Sequence, residues 1–335
     1  MGRAILTLQP VGGLKSPDPF FIMKIQKDVE LKKYTTLKIG GKAKYFVEAN
    51  SKEDIIEAVK WVRRKKLPFF VLGGGSNVLV NDKGFKGVVI KMKNEKIKMK
   101  NQNEKLKTIE ADAGCSMKKI IGLSEQEGMT GLEWAAGIPR ITVGGAIRGN
   151  AGAFGRTMAN ITKEVKALDT RSLRAQTVLS KQMKFWFKDS IFKKNKNLII
   201  LSATLMLEKK DKSEVKKEVK RILQYRKTYH PQEPSAGCAF KNVILTKSLE
   251  NKFKNFPEIT EFIKRGEIPA AWLIEQCGLK GKQLGKAQIS NKHSNFIINL
   301  GGAKASDVLF LIKLAKQKIK NKFGISLQEE IQYII

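Results

Sequence analysis

The sequence has few of the residues that build metal centres and disulfide frameworks. Its 335 residues include two histidines and three widely separated cysteines, with no C-x-x-C pair. We therefore expect neither a metal site of the usual ligand spacing nor a disulfide framework. Unpaired cysteines are typical of a reducing compartment, so we expect a cytoplasmic protein.

Long hydrophobic runs are also missing. The longest apolar stretch, residues 198–207, contains Ser202 and Thr204 and is too short to span a bilayer. The first 21 residues have a short apolar piece broken by prolines and glycines, which is not the pattern of a signal peptide. We expect residues 1–30 to be a disordered N-terminal extension, with Met23 as an alternative start.

Acidic residues are scarce relative to basic ones. The chain has 31 Asp and Glu against 64 Lys and Arg, a formal net charge of +33. Such an excess is typical of proteins that bind nucleic acid or another polyanion. Only eleven of the basic residues are arginines, and the basic residues are spread along the chain. Proteins that recognise nucleic-acid sequence usually concentrate their charge in a patch or a helix. A general lysine bias with attraction for anions is favoured, and nucleic-acid binding stays open.

Hydrophobic periodicity predicts alternating strands and helices. Residues 44–72 read as a β-α-β unit whose helix begins after a capping box formed by Ser51 and Asp54. The other predicted strands are residues 87–91, 107–111, 165–169, 174–178, 198–207, 287–290, 296–300 and 326–334, and the other predicted helices are residues 116–126, 212–227, 270–277 and 306–322. This mixture predicts an α+β or α/β chain with at least two lobes.

Two glycine-rich segments predict a binding site for an anion. Residues 73–77, Gly-Gly-Gly-Ser-Asn, lie between two apolar strands, and residues 137–155 contain many more glycines. Successive backbone N–H groups in such turns converge on anions. Together the segments favour a large, flat polyanion such as a dinucleotide cofactor, while close helix–strand packing is the alternative. Neither segment is the G-x-G-x-x-G fingerprint or a P-loop.

Two further positions carry chemistry that the residues alone leave undecided. Cys238 lies between Gly237 and Lys241, and nearby positive charge favours a reactive thiol. A small buried hydrophobic residue is the alternative, and the spacing alone favours it. Near the end of the chain, strand alternation would direct Glu330 away from the apolar face, although a solvated acid is equally compatible.

Seven motifs, taken in order, resemble the UDP-N-acetylenolpyruvoylglucosamine reductase family from Lys33 to Ile334. They are TLKIGG at 36–41, GGGSNVLV at 73–80, EWAAGIP followed by TVGGA at 133–146, GNAGAFG at 149–155, SAGCAFKN at 235–242, AQISNKHSNF at 287–296 and LQEEI at 327–331. The resemblance implies an α+β fold: an FAD-binding module of the PCMH/vanillyl-alcohol-oxidase type, made of two subdomains, plus an α/β substrate lobe. The implied domains are the first FAD-binding subdomain at 31–92, the second at 93–210, the substrate-binding domain at 211–325 and a tail at 326–335 that returns to the flavin.

The resemblance implies a flavoenzyme of peptidoglycan precursor synthesis. Such an enzyme uses FAD and NADPH to reduce UDP-N-acetylglucosamine enolpyruvate to UDP-N-acetylmuramate. We expect a monomer whose partner is this small-molecule substrate, without specific nucleic-acid or membrane binding. The short interval between Lys188 and Cys238 implies the family's loop-less subtype.

The resemblance also assigns roles to individual residues. Cys238 would be the proton donor, where many relatives carry serine, Glu330 would stabilise the enolate, and Lys188 stands where relatives carry arginine. The implied cofactor-binding residues are Gly73, Gly74, Gly75, Ser76, Asn77, Val78, Gly137, Ile138, Thr142, Gly144, Gly145, Asn150, Ala151, Gly152, Ala153 and Gly155. The implied substrate-binding residues are Tyr229, Lys241, Asn242, His293 and Asn295.

Three departures from the family's pattern are evident. Lys188 lacks the bidentate fork of an arginine. Arg140 and Ile141 replace a single glycine in the turn expected at the pyrophosphate, and Tyr229 stands where lysine is frequent. An FAD-binding relative with reduced or altered activity is therefore an alternative, as is a nucleic-acid-binding protein.

Overall fold

The computed structural model describes residues 5–6, 23–101, 103 and 105–335. In chain order the strands are β1 (Ile5–Leu6), β2 (Ile25–Glu30), β3 (Lys42–Ala49), β4 (Phe69–Leu72), β5 (Val78–Val80), β6 (Phe85–Met92), β7 (Ile97–Asn101), β8 (Leu106–Asp112), β9 (Met129–Thr130), β10 (Gly152–Ala153), β11 (Arg156–Thr157), β12 (Thr162–Asp169), β13 (Arg174–Leu179), β14 (Leu198–Lys209), β15 (Ser235–Cys238), β16 (Val243–Ile244), β17 (Glu267–Ile268), β18 (Gln283–Leu284), β19 (Ala287–Ile289), β20 (Phe296–Asn299) and β21 (Gln332–Ile334). The α-helices are α1 (Lys52–Arg64), α2 (Met117–Glu127), α3 (Val143–Arg148), α4 (Ile191–Lys194), α5 (Lys212–Tyr229), α6 (Lys247–Phe253), α7 (Thr260–Lys264), α8 (Ala270–Gln276) and α9 (Ala305–Phe323).

The described chain divides into two compact units. The first contains the described residues up to Glu30 together with residues 42–74 and 84–224, and the second contains residues 31–41, 75–83 and 225–335. Each unit has its own cluster of buried hydrophobic side chains. The chain therefore passes between the units several times, and neither unit is one continuous segment. The assignment of cofactor and substrate domains stays a prediction.

A five-stranded sheet of the first unit positions the first glycine segment. Its strand order is β1-β2-β3-β6-β4, in which β6 lies between β3 and β4 and runs parallel to both. The predicted β-α-β unit is thus present, with β6 inserted between its two strands. Helix α1 begins at the predicted capping box, where the Ser51 Oγ accepts a hydrogen bond from the Asp54 N–H and the Asp54 carboxylate accepts one from the Ser51 N–H.

The expectation that residues 1–30 are disordered is wrong for residues 5–6 and 25–30. Strand β2 pairs antiparallel with β3, and β1 pairs with β2. Ile25 and Val29 of β2 are buried, so the segment contributes apolar side chains to the interior of the unit. Residues 1–4 and 7–22 lie outside the described residues.

A second, antiparallel sheet carries the other glycine segment of the first unit. Its order is β13-β12-β14-β8-β7, with β9 added beside β14. The strands predicted at 107–111, 165–169, 174–178 and 198–207 are confirmed within a few residues. Helix α3 packs on this sheet and was not predicted, because its sequence contains two glycines that disfavour a helix.

The second unit is built on the sheet β15-β20-β19-β18 and on helix α9. The helix predicted at 306–322 is present as α9. Its apolar side chains Val308, Leu311, Ile312, Ala315 and Ile319 are buried, and Gly324 ends it with a φ of +70°. The last strand is shorter than the predicted 326–334: only Gln332–Ile334 forms a ladder, parallel to β5. Residues 328–330 contact the segment after β15 through single backbone bonds. In the described residues, no helix is long and apolar enough to cross a membrane.

Candidate functional site

Gly73 and Gly74 of the first predicted glycine segment lie in direct contact with the second segment. A Cβ added to Gly74 would lie 1.4 Å from the carbonyl oxygen of Arg140. One added to Gly73 would lie 2.6 Å from the Oγ1 of Thr142. Only glycine fits at either position, because no L side chain tolerates such distances. The segments that were expected to bind one polyanion are therefore held together by the fold.

The altered turn at residues 137–145 keeps a glycine-like backbone. Arg140 has a φ of +54°, the left-handed conformation that glycine adopts freely and that costs other residues about 1 kcal/mol or more. Its neighbour Ile141 is buried in the core of the unit. Thr142 then caps α3, with its Oγ1 accepting a hydrogen bond from the Gly145 N–H at 3.4 Å. The Arg140–Ile141 change thus adds a positive charge to the turn, and the helix cap at Thr142 directly after it is present.

The first glycine loop offers unused hydrogen-bonding groups. From Gly74 to Asn77, no backbone N–H donates to another described residue. The Asn77 side chain donates to the Glu330 carbonyl oxygen at 3.1 Å, while its buried Oδ1 has no partner among the described residues. A row of donors and an orphaned acceptor fit a ligand such as FAD, which carries both a pyrophosphate and hydroxyl groups. Ser76 belongs to this loop, and Val78 opens the buried strand β5.

The loop at residues 150–155 lies beside Lys188. The Lys188 ammonium donates a hydrogen bond to the Gly152 carbonyl oxygen at 3.3 Å. The Asn150 amide donates to the Trp186 carbonyl oxygen at 2.9 Å, and its Oδ1 accepts from the Ala159 N–H at 3.0 Å. The side chain of Asn150 therefore fixes the loop, so its predicted cofactor contact would have to come from the backbone. Gly152 and Ala153 form the hairpin strand β10.

The predicted proton donor and the predicted enolate stabiliser lie on adjacent segments of the second unit. The Glu330 N–H donates to the Ala239 carbonyl oxygen at 2.8 Å, and the Lys241 N–H donates to the Gln328 carbonyl oxygen at 2.9 Å. Cys238 immediately precedes Ala239 and is half-buried. The fold thus brings together two positions that lie far apart in the sequence.

Glu329, the residue before the predicted enolate stabiliser Glu330, is held by two hydrogen bonds. The Glu329 carboxylate accepts hydrogen bonds from Lys316 at 2.7 Å and from the Tyr333 hydroxyl at 2.6 Å. Burial raises the pKa of Glu329, but these hydrogen bonds outweigh it and lower the pKa overall. Glu329 is therefore held as a structural anion. The role of Glu330 as the functional acid stays a prediction.

Asn295 anchors the segment that follows Cys238. It is buried, its Oδ1 accepts from the Phe240 N–H at 2.9 Å, and its Nδ2 donates to the Phe240 carbonyl oxygen at 2.8 Å. Its own carbonyl oxygen accepts from the Ala239 N–H at 2.7 Å. Because both ends of the amide are engaged on the backbone, this side chain holds the segment in place. The predicted substrate contact of Asn295 stays a prediction.

His293, a predicted substrate-binding residue, lies in a basic and aromatic cluster near Cys238, and sequence reasoning missed its neighbours His230 and Arg226. The Arg226 Nη1 lies 3.4 Å from the Nδ1 of His230, and the ring of His230 lies 5.5 Å from that of His293. Burial, the Arg226 charge and His293 lower the pKa of His230 to about 4, so His230 is neutral at pH 7. Burial lowers the pKa of Arg226, whereas a charge on Cys238 would raise it, so these two groups lie within electrostatic range.

The other predicted substrate-binding residues lie in the same unit. Tyr229 is exposed and packs against Tyr225 in a tilted contact, with ring centroids 4.7 Å apart. The Asn242 side chain donates to Glu267 at 3.0 Å and accepts from the Ala270 N–H at 3.1 Å. Tyr229 therefore presents a free face, while Asn242 caps helix α8.

Comparison with known proteins gives consistent matches along the chain. Residues 43–172 match the model of an FAD binding domain, and residues 230–334 match the C-terminal domain of UDP-N-acetylenolpyruvoylglucosamine reductase. The reductase of Caldanaerobacter subterraneus subsp. tengcongensis is 36% identical over 312 residues, 93% of this chain and 94% of that protein. The reductase of Anoxybacillus flavithermus is 34% identical over 92% of this chain and 94% of that protein.

A solved structure agrees with these matches. The crystal structure of UDP-N-acetylenolpyruvylglucosamine reductase from Thermus caldophilus covers 93% of this chain and 99% of its own, with a TM-score of 0.71 and 29% identity. The predicted α+β fold with an FAD-binding module is confirmed.

Proposed function

Because the chain belongs to the UDP-N-acetylenolpyruvoylglucosamine reductase family, we propose that it makes UDP-N-acetylmuramate with Cys238, Glu330 and Lys188 as catalytic residues. It is an FAD-dependent oxidoreductase of peptidoglycan precursor synthesis. Its substrate is the enolpyruvyl ether of UDP-N-acetylglucosamine, and NADPH is its reductant.

The glycine segments are the proposed binding site for FAD. The N–H groups from Gly74 to Asn77 would bind its pyrophosphate, and the orphaned Oδ1 of Asn77 would accept from one of its donors. Gly137 and the turn up to Gly145 would line the same cofactor, because Gly73 and Gly74 contact that turn. When bound there, FAD would supply the hydride-transfer chemistry that links NADPH to the vinyl carbon of the substrate.

Lys188 and Glu330 are proposed to stabilise negative charge on the substrate. Hydride addition to the vinyl carbon moves an electron pair toward the substrate carboxylate, which becomes an enolate. A preorganised cation and a protonated acid lower the energy of such a transition state. Lys188 would supply the cation, since its ammonium is already held by the Gly152 carbonyl oxygen at 3.3 Å. Glu330 would supply the hydrogen bond.

Cys238 is proposed to complete the reaction as a general acid. Its Sγ–H bond would break as the proton moves to the carbon next to the carboxylate, which leaves a thiolate. Arg226 lies within electrostatic range and would stabilise that thiolate. The observation that carries this proposal is the backbone bond from Glu330 to Ala239, which holds the two acid-bearing segments side by side.

The experiment separates the two halves of the reaction. Purified protein should be yellow, and it should oxidise NADPH continuously only when the enolpyruvyl sugar nucleotide is present. Cys238→Ala should leave flavin reduction by NADPH intact and abolish reoxidation by the substrate, whereas Cys238→Ser should retain reoxidation. Cys277→Ala, at another half-buried cysteine of the second unit, is the matched control. Colourless protein that FAD does not restore, or equal loss of both half-reactions in Cys238→Ala, would contradict the proposal.

The remaining proposals concern partners and location. We propose a cytoplasmic monomer without a specific nucleic-acid partner. The net charge of +33 would favour encounter with NADPH and the UDP-sugar, because both are polyanions.

A further inference from the structure

Lys91 is a buried lysine beneath the first glycine segment. It lies near the end of β6, between β3 and β4, where most neighbouring residues are apolar. Its exposed fraction is 8%, and among the lysines that the structure describes it is the one that is buried. Its ammonium donates a short hydrogen bond to the Gly73 carbonyl oxygen. A buried cation is thus bonded to the backbone of one glycine of the loop.

The charges around Lys91 leave its ammonium without a carboxylate partner among the described residues. Burial, followed by repulsion from Arg140 and Lys93, lowers the pKa of Lys91 to about 8, while Glu48 and Glu95 oppose this shift only weakly. Glu48 is paired with the exposed Lys93 at 3.5 Å. Taking an ammonium out of water is costly unless an opposite charge compensates. Two cations, Lys91 and Arg140, therefore flank the glycine loop, and an anion bound there would relieve their repulsion.

The hydrogen bond from Lys91 also sets the direction of a peptide group. In a trans peptide the carbonyl and the N–H of the next residue point in opposite directions. The Gly73 carbonyl points toward Lys91, so the Gly74 N–H points away from it. That N–H has no acceptor among the described residues. A donor at the start of the loop that points away from Lys91 and has no acceptor in the described chain is placed to meet a ligand oxygen.

We propose that Lys91 is a positioning residue for the cofactor, which holds the Gly73–Gly74 peptide so that the Gly74 N–H faces the FAD pyrophosphate. Its charge, together with that of Arg140, attracts the same group. The inference rests on the FAD-dependent function proposed above. It also gives a role to Arg140, which stands where the family's pattern has glycine: the turn loses some conformational freedom and gains a positive charge beside the pyrophosphate.

The test measures FAD binding to the full-length protein after the cofactor has been removed. Lys91→Met keeps the length of the side chain but can neither donate nor carry charge, and Lys93→Met, two residues away on the exposed face, is the matched control. Loss of one charge-assisted hydrogen bond is worth roughly a tenfold to hundredfold change in affinity. We expect Lys91→Met to weaken FAD binding by about that factor and Lys93→Met to change it by less than about threefold. Riboflavin, which has no pyrophosphate, should bind both variants as it binds the wild type.

The pH dependence of FAD binding gives a second, independent readout. The protonated form of Lys91 binds the pyrophosphate, and the bound anion raises the pKa of Lys91 above its value of about 8 in the free protein. Affinity should therefore be highest below pH 8 and should fall as the pH rises through this range. The wild type and Lys93→Met should show this fall, and Lys91→Met should not.

Each outcome has a definite meaning. Failure of the wild type to bind FAD would defeat the proposed function itself. Binding of FAD by Lys91→Met with unchanged affinity, or equal loss of FAD and riboflavin, would overturn the role of Lys91 and leave the function standing. If Lys91→Met does not fold, the pH profiles of the wild type and of Lys93→Met decide, because a flat profile in both would overturn the inference.

Discussion

Replacing Asn295 should destabilise the segment that follows Cys238, because the Asn295 side chain holds the backbone of that segment. Asn295→Ala removes two hydrogen bonds to the backbone of Phe240, a residue that is 1% exposed. Water therefore does not replace the lost partners, and each unsatisfied buried group costs about 1–3 kcal/mol. The two together should lower the free energy of unfolding by about 2–6 kcal/mol. Asn295→Asp keeps the acceptor for the Phe240 N–H and loses the donor.

Two measurements check this prediction. Urea unfolding followed by circular dichroism gives the loss of stability, with Asn291→Ala, at an exposed asparagine four residues earlier, as the control. Rapid-reaction absorbance of the flavin then separates the half-reactions: reoxidation by the substrate should slow, while reduction by NADPH should change little. A loss of stability below about 1 kcal/mol would show that Phe240 finds other partners and that the reasoning is wrong. Equal slowing of both half-reactions would show that Asn295 does not act through Cys238.

Two further predictions concern the departures from the family's pattern and the glycine loop. Lys188→Arg restores a bidentate fork and should raise the rate of substrate-dependent NADPH oxidation by about tenfold, while an unchanged rate would show that the ammonium suffices. Gly74→Ala should abolish FAD binding in a fluorescence titration, because its Cβ would lie 1.4 Å from the Arg140 carbonyl oxygen. Gly122→Ala in α2, where a Cβ meets nothing within 4 Å, should instead stabilise the protein by about 0.5–1 kcal/mol in urea unfolding. FAD binding by Gly74→Ala with normal affinity would show that the two segments can separate.

The fold was predictable wherever the sequence pattern is local. The capping box of α1 and the helix predicted at 306–322 depend on neighbouring residues, and the structure has both. Helix α3 was missed because its glycines have poor helix propensity, yet Gly144 is needed there: a Cβ would lie 2.8 Å from that of Ala113. Helix α3 forms because of its tertiary packing, and a short window of sequence does not show which distant residue Gly144 contacts.

The candidate site was predictable in its motifs and not in its supports. The glycine segments, Cys238 and Glu330 follow from the resemblance. Lys91 escaped notice because a lysine near the end of a strand usually faces solvent, and its acceptor lies 18 residues earlier. The parallel pairing of β5 with β21 also has no local signal, because it joins residues about 250 positions apart. Long-range backbone contacts of this kind appear only when the chain is folded.

The pairing of β5 with β21 constrains when the second unit can form during synthesis. Val78–Val80 leaves the ribosome long before its partner strand Gln332–Ile334 has been synthesised. The Asp82 carboxylate likewise lacks its hydrogen-bond donors, the N–H groups of Ala305 and Ser306, until those residues are made. Domains usually fold as soon as they are synthesised, but in this unit β5 has no parallel partner until residues 332–334 emerge. Its contacts are long in sequence, so its folding should be slow. A ribosome that stalls before residue 332 therefore leaves a nascent chain in which the glycine loop has been made and β5 still lacks its parallel partner β21.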